Sequence, residues 1–254
     1  QCFPLYLYEP NIDDSENSGS NPQGSLFDAP DRGLFDKDPD KSKYKRRDAI
    51  TEEGLAHFQA AYPGETITKE DLFYYIYGLL HSEDYHSRFA DNLSKELPRI
   101  PAVKKAEDFW AFSSAGRRLA DLHLNYETVE TYPVKIDTKG KKLEDADYRV
   151  TKMKYGKNGK DKDLTTLIYN SKITLTGIPL EAYQYVVNGK PALDWVVERQ
   201  CVKADKASGI VNDANDWATE TMGNPKYPLE LFLRVITVSL DTMKIVKALP
   251  YLDI

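Results

Sequence analysis

The chain has 254 residues, 41% hydrophobic and 29% charged, with a formal net charge of −6, enough for one large domain or two small ones. No apolar run approaches the ~20 residues a membrane span needs, and Cys2 and Cys201 lie far apart without metal-ligand spacing, which excludes a disulfide framework and fits a reducing cytoplasm. The negative net charge argues against nucleic acid on its face, but residues 9–40 carry nine acids and two bases, a net of −7, so the remainder stands at +1.

The chain opens Gln-Cys-Phe, and residues 3–8 (FPLYLY) read as a short buried strand already in progress, as expected of a segment of a longer protein. No signal peptide is visible. Residues 9–40 are rich in Asn, Asp, Ser, Gly and Pro and predict a long acidic loop. A basic knot follows: Lys41, Lys43, Lys45, Arg46 and Arg47. Thr51 starts a helix that Pro63-Gly64 stops, and Thr68 opens a second with a capping-box spacing to Asp71. That second helix is apolar nearly all round and is expected to be buried. Ser82 caps a third, ended by Pro98, and the Pro98–Pro101 elbow leads to a fourth over 106–124. Strand-like segments then cover 132–137, 147–155, 164–170 and 172–176, with turns at Lys139-Gly140, the GKNGKDK tract and Asn170-Ser171. Pro179 begins a short helix with Asn188-Gly189 at its end, and Pro191 opens another through Trp195 to about Gln200. Residues 204–225 predict a loop with one helical turn, and Pro228 begins a long terminal helix. The order predicts an α+β fold: a helical region followed by a small, mainly antiparallel sheet and further C-terminal helices. The expected divisions are 1–48, 49–130 and 131–254, together forming one compact unit.

Catalytic patterns are sought in vain. Asn224-Pro225-Lys226-Tyr227 differs from an Asn-Pro-Pro-Tyr methyltransferase motif by its lysine and lacks a preceding Gly-rich loop, so it reads as the turn before a helix. No phosphate-binding G-x-x-x-x-G-K-[ST] loop and no Gly-x-Ser-x-Gly elbow occurs. His81 and His86 are five apart, which is not one helix face, so they make no metal pair. The chain alone is expected to catalyse nothing.

Two basic clusters remain. One is the knot at 41–47. The other runs over 149–162, where Arg149, Lys152, Lys154, Lys157, Lys160 and Lys162 face one acid, Asp161, interleaved with Tyr155 and Asn158. Strand alternation puts Lys152 and Lys154 on one face and Met153 and Tyr155 on the other. Such a ribbon suits phosphates, with Asn and Arg able to reach base edges. It reads equally as the solvated face of an exposed hairpin.

Longer segments carry a resemblance: TKEDLFYYIYGLLHSEDYHSRFADNLSKELPRIP, DFWAF and AGRRLADLHLNYE in the helical region, then YNSKITLTGIPLEAYQYVVNGKPALDWVVERQ, ASGIVNDANDW and LFLRVITVSLDTMKIV. In this order they resemble the C-terminal part of Type ISP restriction–modification enzymes, over nearly the whole chain. The resemblance implies a target-recognition region that binds a short site on double-stranded DNA. It further implies presentation of an adenine to a methyltransferase domain, with an ATP-driven motor and a nuclease elsewhere in the same polypeptide. S-adenosylmethionine, ATP and Mg are then expected only in those other domains, and no cofactor or metal in this one.

The DNA-contacting residues are expected in the segments outside these motifs: Arg149, Lys152, Lys154, Tyr155, Lys157, Asn158 and Lys160 of the hairpin, and Lys43, Arg46 and Arg47 of the knot. Arg99, Arg117 and Arg118 read more readily as surface or helix-end ion pairs, and Trp110, Trp195 and Trp217 as packing. The competing reading makes the Tyr-rich helical region a docking module for the methyltransferase or motor domain, one that touches no bases. Exposed aromatic surface on residues 68–81 would favour it.

Overall fold

The structure, a computed structural model, describes residues 4–10 and 44–254. Most of the acidic segment, with Lys41 and Lys43, lies outside the described residues. The fold is α+β, as the element order predicts. Strands β1 (Tyr6–Pro10) and β2 (Tyr44–Asp48) pair antiparallel. They form a separate two-stranded ladder in which no residue of β1 is fully buried, so the expectation of a buried strand is corrected.

Local signals set the helix starts. Thr51 Oγ1 accepts from the Gly54 amide at 3.1 Å and caps α1 (Glu52–Ala61). Thr68 and Asp71 form the reciprocal capping box of α2 (Lys69–Leu79), at 3.1 and 3.0 Å. Ser82 caps α3 (Glu83–Arg88). The third predicted helix does not run on to Pro98. Phe89 leaves helical geometry (φ −113°), its ring packs on Tyr85, and only the short α4 (Ala90–Leu93) follows. Helix α5 spans Ala106–Leu124. Between α4 and α5 lies the proline elbow, held by three tyrosine hydroxyls: Tyr85 donates to Arg99 O, Tyr75 to Pro101 O and Tyr62 to Val103 O, at 2.6–2.7 Å. Tyrosine suits this because its ring fills the core while its tip satisfies a loop carbonyl. The elbow is architecture, and Arg99 beside it pairs with Glu96 at 3.0 Å.

Helices α2 and α5 pack backbone to backbone. A Cβ placed on Gly78 would lie 2.2 Å from Phe112 O, and one on Gly116 would lie 1.8 Å from Tyr74 O. Arg117 locks the same seam, reaching Glu70 and Asp71 at 2.7 Å each and covering the Tyr74 ring at 4.4 Å.

Strands β3 (Lys135–Asp137), β4 (Lys154–Asn158), β5 (Asp161–Ile168) and β6 (Thr174–Thr176) form an antiparallel sheet in the order β3-β6-β5-β4. The predicted strand over 147–155 begins only at Lys154, because Asp145–Tyr148 forms a 3-10 turn. After another 3-10 turn over Leu180–Gln184, β7 (Val186–Val187) and β8 (Lys190–Pro191) make a tight hairpin. Asn188 and Gly189, both at positive φ, are its turn, so that pair closes a hairpin and does not end a helix. Helix α6 (Ala192–Arg199) follows, then a hairpin of β9 (Val202–Ala204) and β10 (Val211–Asp213) where a loop was expected. Helix α7 (Ala214–Asp216) runs into one π-helical turn, Trp217–Thr221, and α8 (Tyr227–Lys247) ends the fold.

Two apolar clusters result. One gathers Phe58, Tyr75, Phe109 and Phe112 between α1, α2 and α5, and the buried Leu252 returns from the chain's end to complete it. The other packs Leu167, Ile173 and Leu175 of the sheet region against Phe232 and Ile236 of α8. Farther along α8, Ile245 meets Ala115 and Leu119 of α5 and joins the two.

A histidine sits in this seam. His123 on α5 has Tyr77 Oη at 2.8 Å from Nδ1 and Thr242 Oγ1 at 2.9 Å from Nε2, and its ring stacks on Tyr185 at 5.4 Å. Burial, then the nearby His81, depress its pKa to about 4. The folded state therefore favours the neutral ring. Its contribution is intact above the unfolded value near 6.5 and is lost as pH falls from there through about 4. Discounted for its partial exposure, the loss is about 2 kcal/mol by pH 4. Urea midpoints of the wild type and His123→Asn between pH 6.5 and 4 should show it: the variant's curve falls less steeply.

Candidate nucleic-acid interface

The interface candidate is built on one hairpin. Strands β4 and β5 pair antiparallel with a register shift between Tyr155 and Gly156, and a two-residue loop, Gly159-Lys160, closes the tip. The residues leading into β4 alternate as the sequence predicts: Lys152 and Lys154 are exposed, while Met153 between them is 3% exposed. Beyond the shift, Lys157 stands directly opposite Lys162. Like charges at that separation destabilise a sheet, so the pair works against the fold unless an anion joins it.

The hairpin faces α6 across a cleft of about 850 Å³. Seven lysines line it: Lys152, Lys154, Lys157, Lys160, Lys162, Lys190 and Lys203, against Asp161, Asp194 and Glu198. Two of these acids are engaged. Tyr155 Oη donates to Asp194 at 2.6 Å, and Glu198 pairs with Lys190 and, at 3.2 Å, with Lys203. Those two ammonium groups hold the Glu198 carboxyl down at about 2. Among the described residues, Lys152, Lys154, Lys157, Lys160 and Lys162 have no acid within ion-pair distance. A second, smaller cleft of about 380 Å³ opens beyond the ridge Thr151–Lys154 and is lined by Arg149, Lys152, Lys154 and Lys172, with Asp147.

The ridge between the clefts is held firmly. The Val150 amide donates to Asn215 Oδ1 at 2.9 Å, and Asn215 Nδ2 returns a bond to Val150 O at 2.8 Å. The Val202 amide donates to Thr151 O at 3.1 Å. Arg149 pairs with Asp213, whose side chain is 8% exposed. Burial opposes the Asp213 charge, but hydrogen bonds from Asn215 and Arg149 together hold its carboxyl below the usual range. Arg149 thus anchors the ridge, while its side chain stays 52% exposed on the wall of the second cleft. Arg149→Ala, which leaves that carboxylate only its hydrogen bonds from Asn215, is expected to cost about 1–2 kcal/mol, read as a lower urea midpoint, with Arg149→Lys restoring most of it.

The structure brings together Lys152, Lys154, Lys157 and Lys160 in one cleft, with Asn158 exposed at its tip. Tyr155 serves as a brace: its half-buried ring meets Tyr183, its hydroxyl is spent on Asp194, and burial, then that carboxylate, push its phenol far up. Arg46 and Arg47 lie elsewhere, on β2, where Arg46 covers the Tyr6 ring at 4.3 Å and Arg47 pairs with Glu9 at 2.6 Å. Lys43 lies outside the described residues. Trp110 donates to Glu65 at 2.8 Å and Trp195 to Val187 O at 2.8 Å, both as packing residues, whereas Trp217 is 52% exposed, contrary to expectation. Sequence reasoning missed Lys190 and Lys203. Both lie outside the 149–162 tract, 28 and 41 residues beyond its end, and only the fold turns them toward the hairpin.

A third surface belongs to α2. Phe73, Ile76, Tyr77 and Leu80 share an apolar groove of about 590 Å³ with Pro4, Leu7, Ile50, Leu97 and Ile100. The helix is therefore buried on one side only. No group of His, Cys, Asp and Glu able to hold a metal occurs among the described residues, and none of their helices is long and apolar enough to cross a membrane.

Residues 1–231 match the family described as Type ISP C-terminal specificity domain. Comparison with curated proteins gives no match. Among solved structures, the chain is similar to the ATP-dependent Type ISP restriction–modification enzyme LlaBIII bound to DNA: TM-score 0.75, 38% identity, over 99% of this chain and 14% of that one. A nuclease-deletion mutant of the Type ISP enzyme LlaGI in complex with a DNA substrate mimic gives TM-score 0.64 and 44% identity, over 76% of this chain and 15% of that one. The DrdV–DNA complex gives TM-score 0.68 and 30% identity, over 82% and 20%. The chain thus spans about a seventh of the length of LlaBIII.

Proposed function

Because the chain belongs to the Type ISP C-terminal specificity domain family, we propose that it recognises a site on double-stranded DNA, with the lysine-lined cleft holding the sugar–phosphate backbone. The observation that carries this is the cleft itself: five lysines without acid partners among the described residues, two of them opposed across strands, on a hairpin whose base is held by Asn215 and Val202. Ammonium groups on a rigid frame bind phosphates by charge alone and set the register of the duplex. Its similarity to domains of DNA-bound enzymes supports the same reading.

The finer reading extends beyond this chain. The domain belongs to a restriction–modification polypeptide, contributes no catalytic group, and orients the duplex so that a methyltransferase domain can flip out and modify an adenine. S-adenosylmethionine, ATP and Mg serve those other domains. The test is an exchange of this region between two related full-length enzymes, followed by mapping of the methylated adenines. The methylated site should travel with the region; a site that stays with the recipient enzyme would refute recognition here.

The apolar groove on α2 favours a second role in the same domain, as a docking surface for a neighbouring domain of the polypeptide. The two roles use different faces and are compatible.

A further inference from the structure

The β9–β10 hairpin stands where a loop was expected, and its Ile210 and Asn212 fall inside the shared ASGIVNDANDW segment, so a base contact there departs from the expectation that DNA contacts lie outside the shared motifs. Every residue from Lys203 to Asn212 is exposed, so the hairpin projects from the body as a free two-stranded ribbon. An unsupported ribbon of this kind is marginal by itself and needs a reason to exist. Its base is clamped by the network that fixes the ridge: Asp213 to Arg149, Asn215 to Val150, and the Val202 amide to Thr151 O. Its tip is also fixed, with Asp205 Oδ1 accepting from the Ala207 and Ser208 amides at 2.9 and 2.8 Å.

The ribbon continues the wall of the lysine cleft, which Val202 and Lys203 line. Asn212 pairs directly with Lys203 and so shares its face, while Val211 pairs with Ala204 on the other. Ile210, at the tip, is 59% exposed. Of the ribbon's two acids, Asp213 is paired with Arg149 and Asp205 is turned onto its own loop, while Lys206 makes no ion pair among the described residues. A major groove is wide enough for a two-stranded ribbon. There an asparagine side chain can pair with adenine and an apolar side chain can meet a thymine methyl.

We propose that the β9–β10 ribbon enters the major groove beside the backbone held in the lysine cleft, placing Asn212 and Ile210 against base edges. This rests on the reading of the cleft as the DNA-backbone site. It divides the labour: the cleft lysines supply affinity, and the ribbon supplies base preference.

The experiment is selection from a pool of duplexes randomised at their central positions. The wild type, Lys152→Ala/Lys154→Ala/Lys157→Ala, and Asn212→Ala/Ile210→Ser are compared, with thermal melting confirming that each is folded. Lys206→Gln serves as a second ribbon variant. The wild type should enrich a motif. The ribbon double variant should lose about tenfold preference at one or two adjacent positions while retaining the unselected pool within about threefold. The cleft variant should retain far less of the pool. A ribbon variant that enriches the wild-type motif unchanged, with Lys206→Gln doing the same, overturns the ribbon proposal and leaves the cleft standing. A wild type that retains no duplex overturns both.

Discussion

Gly116→Ala is expected to destabilise the protein by about 3 kcal/mol or more, among the largest effects of any single methyl group. The added Cβ would lie 1.8 Å from Tyr74 O and 2.9 Å from the Gly78 amide nitrogen, both backbone atoms that no rotamer change can move. Helices α2 and α5 must separate, and that opens the aromatic cluster where Tyr75 stacks on Phe109 at 4.7 Å. It also pulls Arg117 from Glu70 and Asp71. At this chain length the loss corresponds to roughly 6–12 °C in Tm. The control is Gly54→Ala on α1, where the new Cβ meets only Thr51 Oγ1 at 3.4 Å. There the same substitution should be neutral or stabilise by up to about 1 kcal/mol, since alanine loses less backbone entropy in a helix. Thermal melting of both variants gives the comparison, and equal melting temperatures would show that the helices are not in backbone contact.

Replacing Lys152, Lys154 and Lys157 with alanine is expected to weaken duplex binding at about 0.1 M salt by roughly a few hundredfold, if each lysine neutralises one phosphate. The fold should survive, because all three are exposed and hold no ion pair among the described residues. Relief of the opposed Lys157–Lys162 pair should even raise stability by a few tenths of a kcal/mol. Binding lost while stability is kept is the signature of a surface shaped for an anion. Lys45→Ala on β2, in contrast, removes a cation whose cross-strand neighbour is Glu9, and it should leave duplex binding within about twofold.

The helices were legible because their signals are local. Thr51, Thr68 and Ser82 announce helix starts through side chains that reach only three residues ahead, and the structure keeps all three caps. The 3.6-residue period marked α5 and α8. The lysine hairpin was legible for a similar reason: alternation around Met153 survives in the fold, and the GKNGKDK tract does become its tip. The short hairpins were not. Strands of two or three residues, such as β7 and β8, carry no period, so Asn188-Gly189 looked like the end of a helix when it was the turn between them. Contacts between distant elements left no mark either. Nothing near Arg149 announces Asp213, 64 residues on, and nothing in the spacing of Gly78 and Gly116 says that their helices touch. Lys190 and Lys203 joined the cleft only through the placement of α6.

The proposed role of the cleft between the lysine hairpin and α6 is to hold the DNA backbone. Its most direct test is a salt titration of duplex binding by the wild type and by Lys152→Ala/Lys154→Ala/Lys157→Ala, plotted as log affinity against log salt. The variant's slope should be shallower by about 2.7, at roughly 0.9 for each phosphate contact removed. Parallel lines would contradict that role, because lysines that release no counterions do not touch the phosphates.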